Sequence, residues 1–244
     1  KKYGNPEVLE IADIKEPEIG ENEVLVQVKF ASVNPVDWKV RKGLLKIVSG
    51  SNFPKLTGSD FAGIVEESNL PDFKKGDEVF GYVNVSKQGS LAEYIKVKEN
   101  NLVHKPENLT LKQAGVAALT GSTVIQSLIT KAKIKNGMNV FVNGGTGGVG
   151  SFAIELAKYL NCYVTTSCSE KSIPYAKDFG ANEVIDYTKD TLFAGEKYDI
   201  IFDGVSNLNF LKVKKYLTAK GCLISLKPRP KNIFIAFFNN LVSK

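Results

Sequence analysis

The chain of 244 residues is 43% hydrophobic and 24% charged, a composition typical of a globular protein with a sizeable core and not of a disordered one. No stretch approaches about eighteen uncharged apolar residues, so we expect no membrane span. The formal net charge of +6 arises from lysines mixed with acidic residues, which favours a local site for an anionic ligand over a nucleic-acid surface.

The cysteines and the amino terminus bear on location. Cys162, Cys168 and Cys222 are sparse and odd in number, which indicates a reducing cytoplasm rather than a disulfide framework. The opening stretch KKYGNPEVLE has no apolar signal-peptide segment and no initiator Met. We therefore expect the natural chain to begin a few residues earlier.

The first part of the chain, up to about Asn108, has the pattern of short β-strands. NEVLVQVKFASV alternates Val24, Val26 and Val28 with polar residues, as a half-buried strand does. DFAGIVEES and GDEVFGYVNV follow, separated by turns rich in Gly and Pro. This pattern predicts a small barrel or sandwich.

The second part of the chain alternates strands with helices, after the helix-like LTLKQAGVAALTGSTVIQSLITKA. The helices SFAIELAKYL and SIPYAKDFGA separate the first three of five predicted strands, MNVFVN, CYVTTS, NEVIDY, YDIIFDG and GCLISL. Such alternation predicts a doubly wound parallel sheet, whose full form has six strands. We expect two domains, residues 1–107 and 108–244.

A glycine-rich loop lies in the stretch VFVNGGTGGVGSFAIELAKYL. Residues 145–150 spell G-x-G-x-x-G between a predicted strand and a predicted helix, the arrangement that binds a dinucleotide pyrophosphate. We expect Gly145 to permit the turn, Gly147 to let the main chain approach the phosphates, and Gly150 to let helix and strand pack closely. A flexible linker, the alternative, would not be followed by so regular a helix.

The end of the second strand bears on the choice of dinucleotide. An NAD site places an acidic residue about twenty residues beyond the loop. Here the chain reads Thr166-Ser167-Cys168-Ser169-Glu170-Lys171, and its hydroxyls and lysine favour NADPH, with Lys171 as a partner of the 2′-phosphate. Glu170 leaves NAD open, because a small change of register would bring it to the ribose. A solvated surface lysine is the alternative for Lys171.

Zinc ligands are scarce. The first 107 residues contain no cysteine, and the one histidine of the chain, His104, is expected at the surface or in packing. Three cysteines cannot form a four-cysteine structural site. We therefore expect no metal site.

Several motifs occur in a recognisable order along the chain. They are SVNPVDWKVRKG, GSDFAGIVEE, FKKGDEVFG, GSLAEYIKV, ALTGSTVIQSL, NGGTGGVGSFAIELAK and FGANEVIDY. This order resembles that of zinc-independent medium-chain dehydrogenases/reductases, within the quinone oxidoreductase (zeta-crystallin-like) group. The NPVDWK form is especially similar to chloroplast-envelope quinone oxidoreductase homologues and their bacterial relatives.

The resemblance implies a GroES-like β-barrel domain plus a Rossmann domain, that is, an α/β fold with the active site in the cleft between the domains. It also implies a chain running well past residue 244, which would supply a sixth strand and a return segment to the barrel. Zinc-dependent relatives have a Cys near Asn34–Trp38 and Gly-His-Glu where this chain has Gly58-Ser59-Asp60, so the resemblance also implies zinc-free chemistry.

The resemblance implies site residues by position. Asn34 would face the substrate or nicotinamide, and Asp37 and Trp38 would shape the pocket; Lys39 stands where many relatives have a tyrosine. Tyr82 is a candidate proton donor, or packs in the barrel. The candidate cofactor residues are Thr123, Gly145, Thr146, Gly147, Gly148, Val149, Gly150, Ser167, Ser169, Lys171, Tyr187, Asp203, Val205 and Leu226, of which Asp203, Val205 and Leu226 are alternatively ordinary strand ends.

We expect, in sum, an NADPH-dependent, zinc-independent oxidoreductase that reduces quinones or α,β-unsaturated carbonyls. An enoyl-thioester reductase and a non-catalytic NADPH-binding structural or RNA-binding protein are the alternatives. Its partners would be a small-molecule substrate and no nucleic acid, and the chain would be a monomer or homodimer. The apolar stretch KNIFIAFFNNLVSK is expected to cap the substrate cleft or enter a subunit contact, with peripheral membrane contact as the weaker alternative.

Overall fold

The computed structural model describes residues 2–87 and 89–226. The chain divides into two compact units after Leu119, later than the boundary predicted after residue 107. The stretch KNIFIAFFNNLVSK lies outside the described residues. Within them, no helix has the length and apolar character needed to cross a bilayer. All three cysteines are free thiols.

The first unit is built on a five-stranded antiparallel sheet in the order β4-β1-β2-β3-β5. Its strands are β1 (Glu23–Ala31), β2 (Asp60–Ser68), β3 (Glu78–Tyr82), β4 (Tyr94–Lys98) and β5 (Leu102–His104). Its helices are α1 (Pro35–Arg41), α2 (Lys46–Ser49) and α3 (Leu111–Ala114), with short 3-10 turns at Pro6–Val8, Val85–Lys87 and Glu99–Asn101.

The core of the first unit follows the alternation of β1. Val24, Val26 and the partly buried Val28 lie in one hydrophobic cluster with Phe61 and Val65 of β2. Because successive residues of a strand point to opposite faces, the valine pattern fixes which face of β1 is buried.

The second unit is built on a five-stranded parallel sheet in the order β10-β9-β6-β7-β8. Its strands are β6 (Asn139–Asn143), β7 (Tyr163–Cys168), β8 (Glu183–Asp186), β9 (Tyr198–Asp203) and β10 (Leu217–Ser225). Its helices are α4 (Ala118–Ile125), α5 (Gly148–Tyr159), α6 (Ile173–Asp178) and α7 (Phe210–Val213). Helix α4 starts just before the boundary between the units and continues as a π-helix (Gln126–Lys131). Two 3-10 turns lie at Glu170–Ser172 and Lys214–Tyr216.

The central strands β6 and β9 are apolar along most of their length because both faces of the sheet are covered there. Val140 and Val142 of β6 pack into one cluster with Ile154 of α5. The residue between them, Phe141, packs into a second cluster with Phe193. The five strands predicted from apolar runs are therefore all present, in the order that a doubly wound fold requires.

The long helix-like segment before β6 is interrupted. Helix α3 ends at Ala114, and α4 starts at Ala118. Between them, a Cβ added to Gly115 would lie 2.9 Å from the Cβ of Phe30, so the chain lies against β1 there and leaves no room for a side chain.

A substitution at Phe141 tests the packing of the parallel sheet. Its ring is fully buried, with centroids 4.6 Å from Phe193 and 5.3 Å from Tyr198. We expect Phe141→Ala to lower the free energy of unfolding by about 3–5 kcal/mol, because it removes buried apolar surface and leaves a cavity. Urea denaturation measures this loss. Tyr159→Ala, at a side chain that is 82% exposed, is the control and should change stability by no more than about 0.5 kcal/mol.

Candidate functional site

The glycine loop joins β6 to α5 at the carboxyl edge of the parallel sheet. The turn is made by Gly144, whose φ of +79° lies in the left-handed region. The sequence analysis assigned the turn to Gly145, which has no such φ. The difference arises because the turn begins directly after Asn143, the last residue of β6.

Two glycines of the loop make room for neighbouring atoms of the protein. A Cβ on Gly145 would lie 2.0 Å from Oγ1 of Thr166, on β7. A Cβ on Gly150 would lie 2.1 Å from the carbonyl oxygen of Gly144. Gly145 thus lets the loop pack on β7, and Gly150 lets the first turn of α5 pack on the loop.

Two other glycines of the loop are exposed at the start of α5. Gly147 and Gly148 are exposed, and no atom lies within 4 Å of the position that a Cβ on Gly148 would take. Gly147 is the N-cap of α5, and no side chain caps the helix there. The first N–H groups of a helix have no partner within it, so this end of α5 offers donors and a partial positive charge. These features fit the pyrophosphate of a dinucleotide.

A buried amide joins the ends of three strands beside this loop. The Nδ2 of Asn143 donates to Oδ1 of Asp203 and to Oδ1 of Asn207, both at 2.8 Å. Its Oδ1 accepts from the hydroxyl of Ser167 at 2.9 Å. Asn143 is 4% exposed, so these bonds satisfy a polar group that water does not reach.

Two predicted cofactor residues take part in this hydrogen-bond network. Ser167 and Asp203 are fully buried. Asp203 also accepts hydrogen bonds from the main-chain N–H groups of Ser206 and Leu208, at 2.8 Å each, which shapes the loop after β9. Val205 of that loop is exposed, and its Cγ2 lies 2.5 Å from where a Cβ on Gly144 would stand. Ser167 and Asp203 therefore position the loops around the glycine turn.

The segment after β7 carries the residues predicted to hold a 2′-phosphate. Lys171 is exposed within a 3-10 turn that follows Ser169. The main-chain N–H of Tyr187 donates to the carbonyl of Cys168, which places the exposed Tyr187 beside the end of β7. Glu170 forms an ion pair with Lys189, with Nζ and Oε1 2.7 Å apart.

The other predicted cofactor residues are dispersed. Thr146 and Val149 are half-buried in and just after the loop. Thr123 is half-buried on α4, and Leu226 follows the end of β10.

In the first unit, Asn34 lies at the centre of a polar cluster. Its Nδ2 donates to Oγ of Ser32 and to Oδ2 of Asp60, both at 2.9 Å. The Ser32 hydroxyl also donates to Oδ2 of Asp60 at 2.6 Å. The other oxygen of Asp60 accepts from the main-chain N–H of Leu119 at 2.8 Å. Asp60 is fully buried.

Burial raises the pKa of Asp60 above the usual range of an aspartic acid, because a charge is costly where water is excluded. The hydrogen bonds from Ser32, Asn34 and Leu119 act in the opposite direction and stabilise the charged form. The negative charge of Asp37 raises the pKa further. The carboxyl group of Asp60 is thus held by its donors against the cost of burial.

The remaining predicted residues of the first unit differ in exposure. Asp37 is buried and accepts from the main-chain N–H of Asn34 at 2.7 Å and from the hydroxyl of Ser59 at 2.9 Å, so it holds the start of α1. Trp38 is half-exposed, with the amino groups of two lysines each 5.7 Å from its ring centroid. Tyr82 is half-buried at the end of β3 and is the register partner of Asp60.

His104 lies at the end of β5, away from any group of potential metal ligands in the described part of the chain. Its ring stacks on Phe73 with centroids 4.7 Å apart, and its Nε2 lies 3.0 Å from the carbonyl oxygen of Asp72. It therefore has a packing role at the surface.

Sequence reasoning missed Asn143, Asp60 and Lys189. A polar residue closing an apolar strand was a visible signal for Asn143, and an acidic residue opening one was a signal for Asp60. No local pattern pointed to Lys189, because its partner Glu170 belongs to another segment.

With this geometry in hand, comparison with known proteins assigns the family. Residues 20–107 match the family described as "Alcohol dehydrogenase GroES-like domain", and residues 148–235 match the one described as "Zinc-binding dehydrogenase". A chloroplastic quinone-oxidoreductase homolog from Spinacia oleracea is 32% identical over 239 residues, which cover 93% of this chain and 73% of that protein. The chain belongs to the quinone oxidoreductase group of medium-chain dehydrogenases/reductases.

Two further relatives are consistent with this membership. The solved structure of a quinone oxidoreductase from Coxiella burnetii matches with a TM-score of 0.86 at 30% identity, covering 98% of this chain and 77% of that one. A chloroplastic NADPH-dependent alkenal/one oxidoreductase from Arabidopsis thaliana is 36% identical over 238 residues, or 92% of this chain and 60% of that protein. The family and the α/β fold class of a GroES-like plus a Rossmann domain, predicted from the sequence, are confirmed.

Substitutions at two glycines of the loop distinguish an effect on folding from an effect on ligand binding. Gly150→Ala would push a Cβ into the carbonyl of Gly144, so we expect the free energy of unfolding to fall by about 1–3 kcal/mol. Gly147→Ala places its Cβ 3.4 Å from that same carbonyl oxygen, so its stability should match the wild type. It should nevertheless bind NADPH more weakly, because Gly147 is exposed at the uncapped start of α5, where an added methyl group hinders the approach of a pyrophosphate to the main chain. Urea denaturation and NADPH fluorescence titration measure the two effects, and an unchanged NADPH affinity in Gly147→Ala would contradict the assignment of this loop.

Proposed function

We propose that this chain is an NADPH-dependent reductase of quinones or α,β-unsaturated carbonyls. The observation that carries the proposal is the exposed Gly147–Gly148 main chain at the uncapped start of α5, on the carboxyl edge of a parallel sheet. Relatives named as quinone and alkenal/one oxidoreductases support the acceptor class.

NADPH supplies a hydride when it is bound. The chain's own part is to bind the phosphates at residues 144–150 and to hold the loops around them in one arrangement. Asn143 and Asp203 do the latter through buried hydrogen bonds that involve no ligand. A loop that is already ordered loses little conformational entropy when a ligand binds, which favours affinity.

The charges after β7 favour NADPH over NADH. A free carboxylate beside Lys171 would repel a 2′-phosphate, but Glu170 is paired with Lys189 at 2.7 Å. The pair is neutral in sum, which leaves Lys171 as the unbalanced charge of this turn. Tyr187 adds an exposed phenol beside the same strand end.

Several finer features stay predictions. Zinc-independent chemistry is supported by the absence of cysteine from residues 1–107 and by the packing role of His104. Three free thiols support a reducing, cytoplasmic location. We propose a small-molecule substrate and a monomer or homodimer.

An acceptor panel tests the reaction. We expect the purified chain to oxidise NADPH, followed at 340 nm, with 1,4-benzoquinone or with an alkyl enone, and to be slower with crotonyl-CoA. Faster turnover with crotonyl-CoA would favour the enoyl-thioester reductase instead. Tight NADPH binding without turnover of any acceptor would refute a reductase and leave a binding protein.

Lys171 tests the choice of cofactor. If its amino group contacts the 2′-phosphate, Lys171→Ala should raise the Kd of NADPH about 10- to 100-fold, the loss expected for a hydrogen bond between charged groups. The Kd of NADH, which lacks that phosphate, should stay unchanged. Lys177→Ala, at another exposed lysine in the following helix, is the matched control. Equal losses for NADPH and NADH would contradict this role of Lys171.

A further inference from the structure

Asp60 is a buried carboxyl group whose two oxygens accept hydrogen bonds from three donors. Ser32 and Asn34 donate to Oδ2, and the main-chain N–H of Leu119 donates to Oδ1. Each donor–acceptor distance lies between 2.6 and 2.9 Å. None of the three donors carries a charge, so Asp60 is stabilised by hydrogen bonds alone within this cluster.

This arrangement decides which way the amide of Asn34 points. An ionised carboxylate accepts hydrogen bonds and donates none, so the group of Asn34 that faces it must be the NH₂. The second N–H of that NH₂ group is used by Oγ of Ser32. Because an amide nitrogen has two N–H bonds, Asn34 has no donor left for a ligand and can offer a ligand its carbonyl oxygen only.

We propose that Asp60 is a positioning residue, which orients Asn34 so that Asn34 acts toward a bound ligand as a hydrogen-bond acceptor. The inference rests on the proposed reductase function for the statement that Asn34 meets a ligand. The orientation itself rests on the contacts of Ser32, Asn34 and Asp60.

The ligand group that Asn34 recognises is therefore an N–H or O–H donor. The carbonyl oxygen of an oxidised quinone or of an enone is an acceptor and does not fit. The acceptor gains such a donor during the reaction, the hydroxyl of a reduced quinone or of an enol. Such a donor would make kcat more sensitive to the orientation of Asn34 than the Kd of NADPH is.

A reciprocal exchange of the two side chains tests the orientation. In Asp60→Asn, the new amide can accept from Leu119 only with its NH₂ facing Asn34, so Asn34 must turn over and offer a donor. In the double variant Asn34→Asp with Asp60→Asn, the NH₂ of residue 60 faces a carboxylate at residue 34, which again offers an acceptor. The single variant Asn34→Asp brings two carboxylates together without a donor between them.

We expect Asp60→Asn and Asn34→Asp each to lower kcat/KM about tenfold or more, the effect of losing one hydrogen bond in the transition state. The double variant should recover most of that loss. Asp72→Asn, at an exposed aspartate of the same unit, is the control and should behave as the wild type. A double variant that loses as much as the product of the single variants would overturn the proposal.

The free energy of unfolding gives a readout that does not depend on activity. The raised pKa of Asp60 means that the folded chain binds its proton more tightly than the unfolded chain does, so its charge lowers stability as pH rises through that raised pKa. Asp37 is the neighbouring carboxylate that contributes to this shift. We expect the stability of Asp60→Asn relative to the wild type to be highest at neutral pH and to decline as pH falls.

The two proposals fail in different ways. If the wild type turns over no acceptor, the reductase function fails. The orientation of Asn34 is then tested by the free energy of unfolding of the variants. A double variant more stable than Asn34→Asp alone supports the orientation, and an equal or lower stability overturns it. If Asp60→Asn does not fold, Ser32→Ala replaces it. This variant removes one donor to Asp60 and the acceptor of the second N–H of Asn34, and it leaves the Asn34–Asp60 bond. If Asp60 orients Asn34, Ser32→Ala should lower kcat/KM less than Asn34→Asp does, and a loss as large as that of Asn34→Asp would overturn the proposal.

Discussion

The buried amide of Asn143 is the interaction on which the carboxyl edge of the parallel sheet depends. A buried polar group without a partner costs about 1–3 kcal/mol, so each atom of this amide must find one. It finds them on β7, on β9 and in the loop after β9. The loops that follow three different strands are consequently held together before any ligand binds. The hydrogen bonds of Asn143 maintain the shape of the glycine turn, so the exposed side of the turn needs no side-chain contacts of its own.

Both networks take their direction from a carboxylate. Asp203 accepts from the Nδ2 of Asn143, so the NH₂ of that amide faces Asp203. Asp60 accepts from the Nδ2 of Asn34 in the same way, and this gives the network of the first unit a fixed direction. Burying a carboxylate costs more than burying an amide, and this cost raises the pKa of Asp60. A costly group that imposes one orientation on its neighbour is what a binding site needs, because an amide of uncertain orientation would present either a donor or an acceptor.

The sequence was sufficient to predict the strands and helices, but not the hydrogen-bond partners of the side chains between them. Apolar runs such as VFV and DIIF are buried because both faces of the sheet are covered, so their strands could be located by pattern alone. The spacing of the glycines located the loop, yet the turn lies at Gly144, since the left-handed φ depends on where β6 ends. Asp203 and Ser167 were assigned to the cofactor, whereas their hydrogen bonds go to Asn143, respectively 60 and 24 residues away. No local pattern encodes contacts over such separations, and the roles of Asp60 and Asn143 follow only from the folded arrangement.

The pair formed by Glu170 and Lys189 shows why a weak interaction can still decide specificity. Both side chains are largely exposed, so the pair contributes little to stability. Its effect on an anion is different, because the field near the end of β7 depends on the sum of the charges present. With Glu170 alone, that sum beside Lys171 would be close to zero and a 2′-phosphate would gain little. With Lys189 within 2.7 Å of Glu170, that carboxylate is paired. Asp186, whose pKa is lowered by hydrogen bonds from Thr188, is another carboxylate close to Lys189. Under the proposed role of Lys171, the choice between the two dinucleotides depends in part on a lysine that follows a different strand.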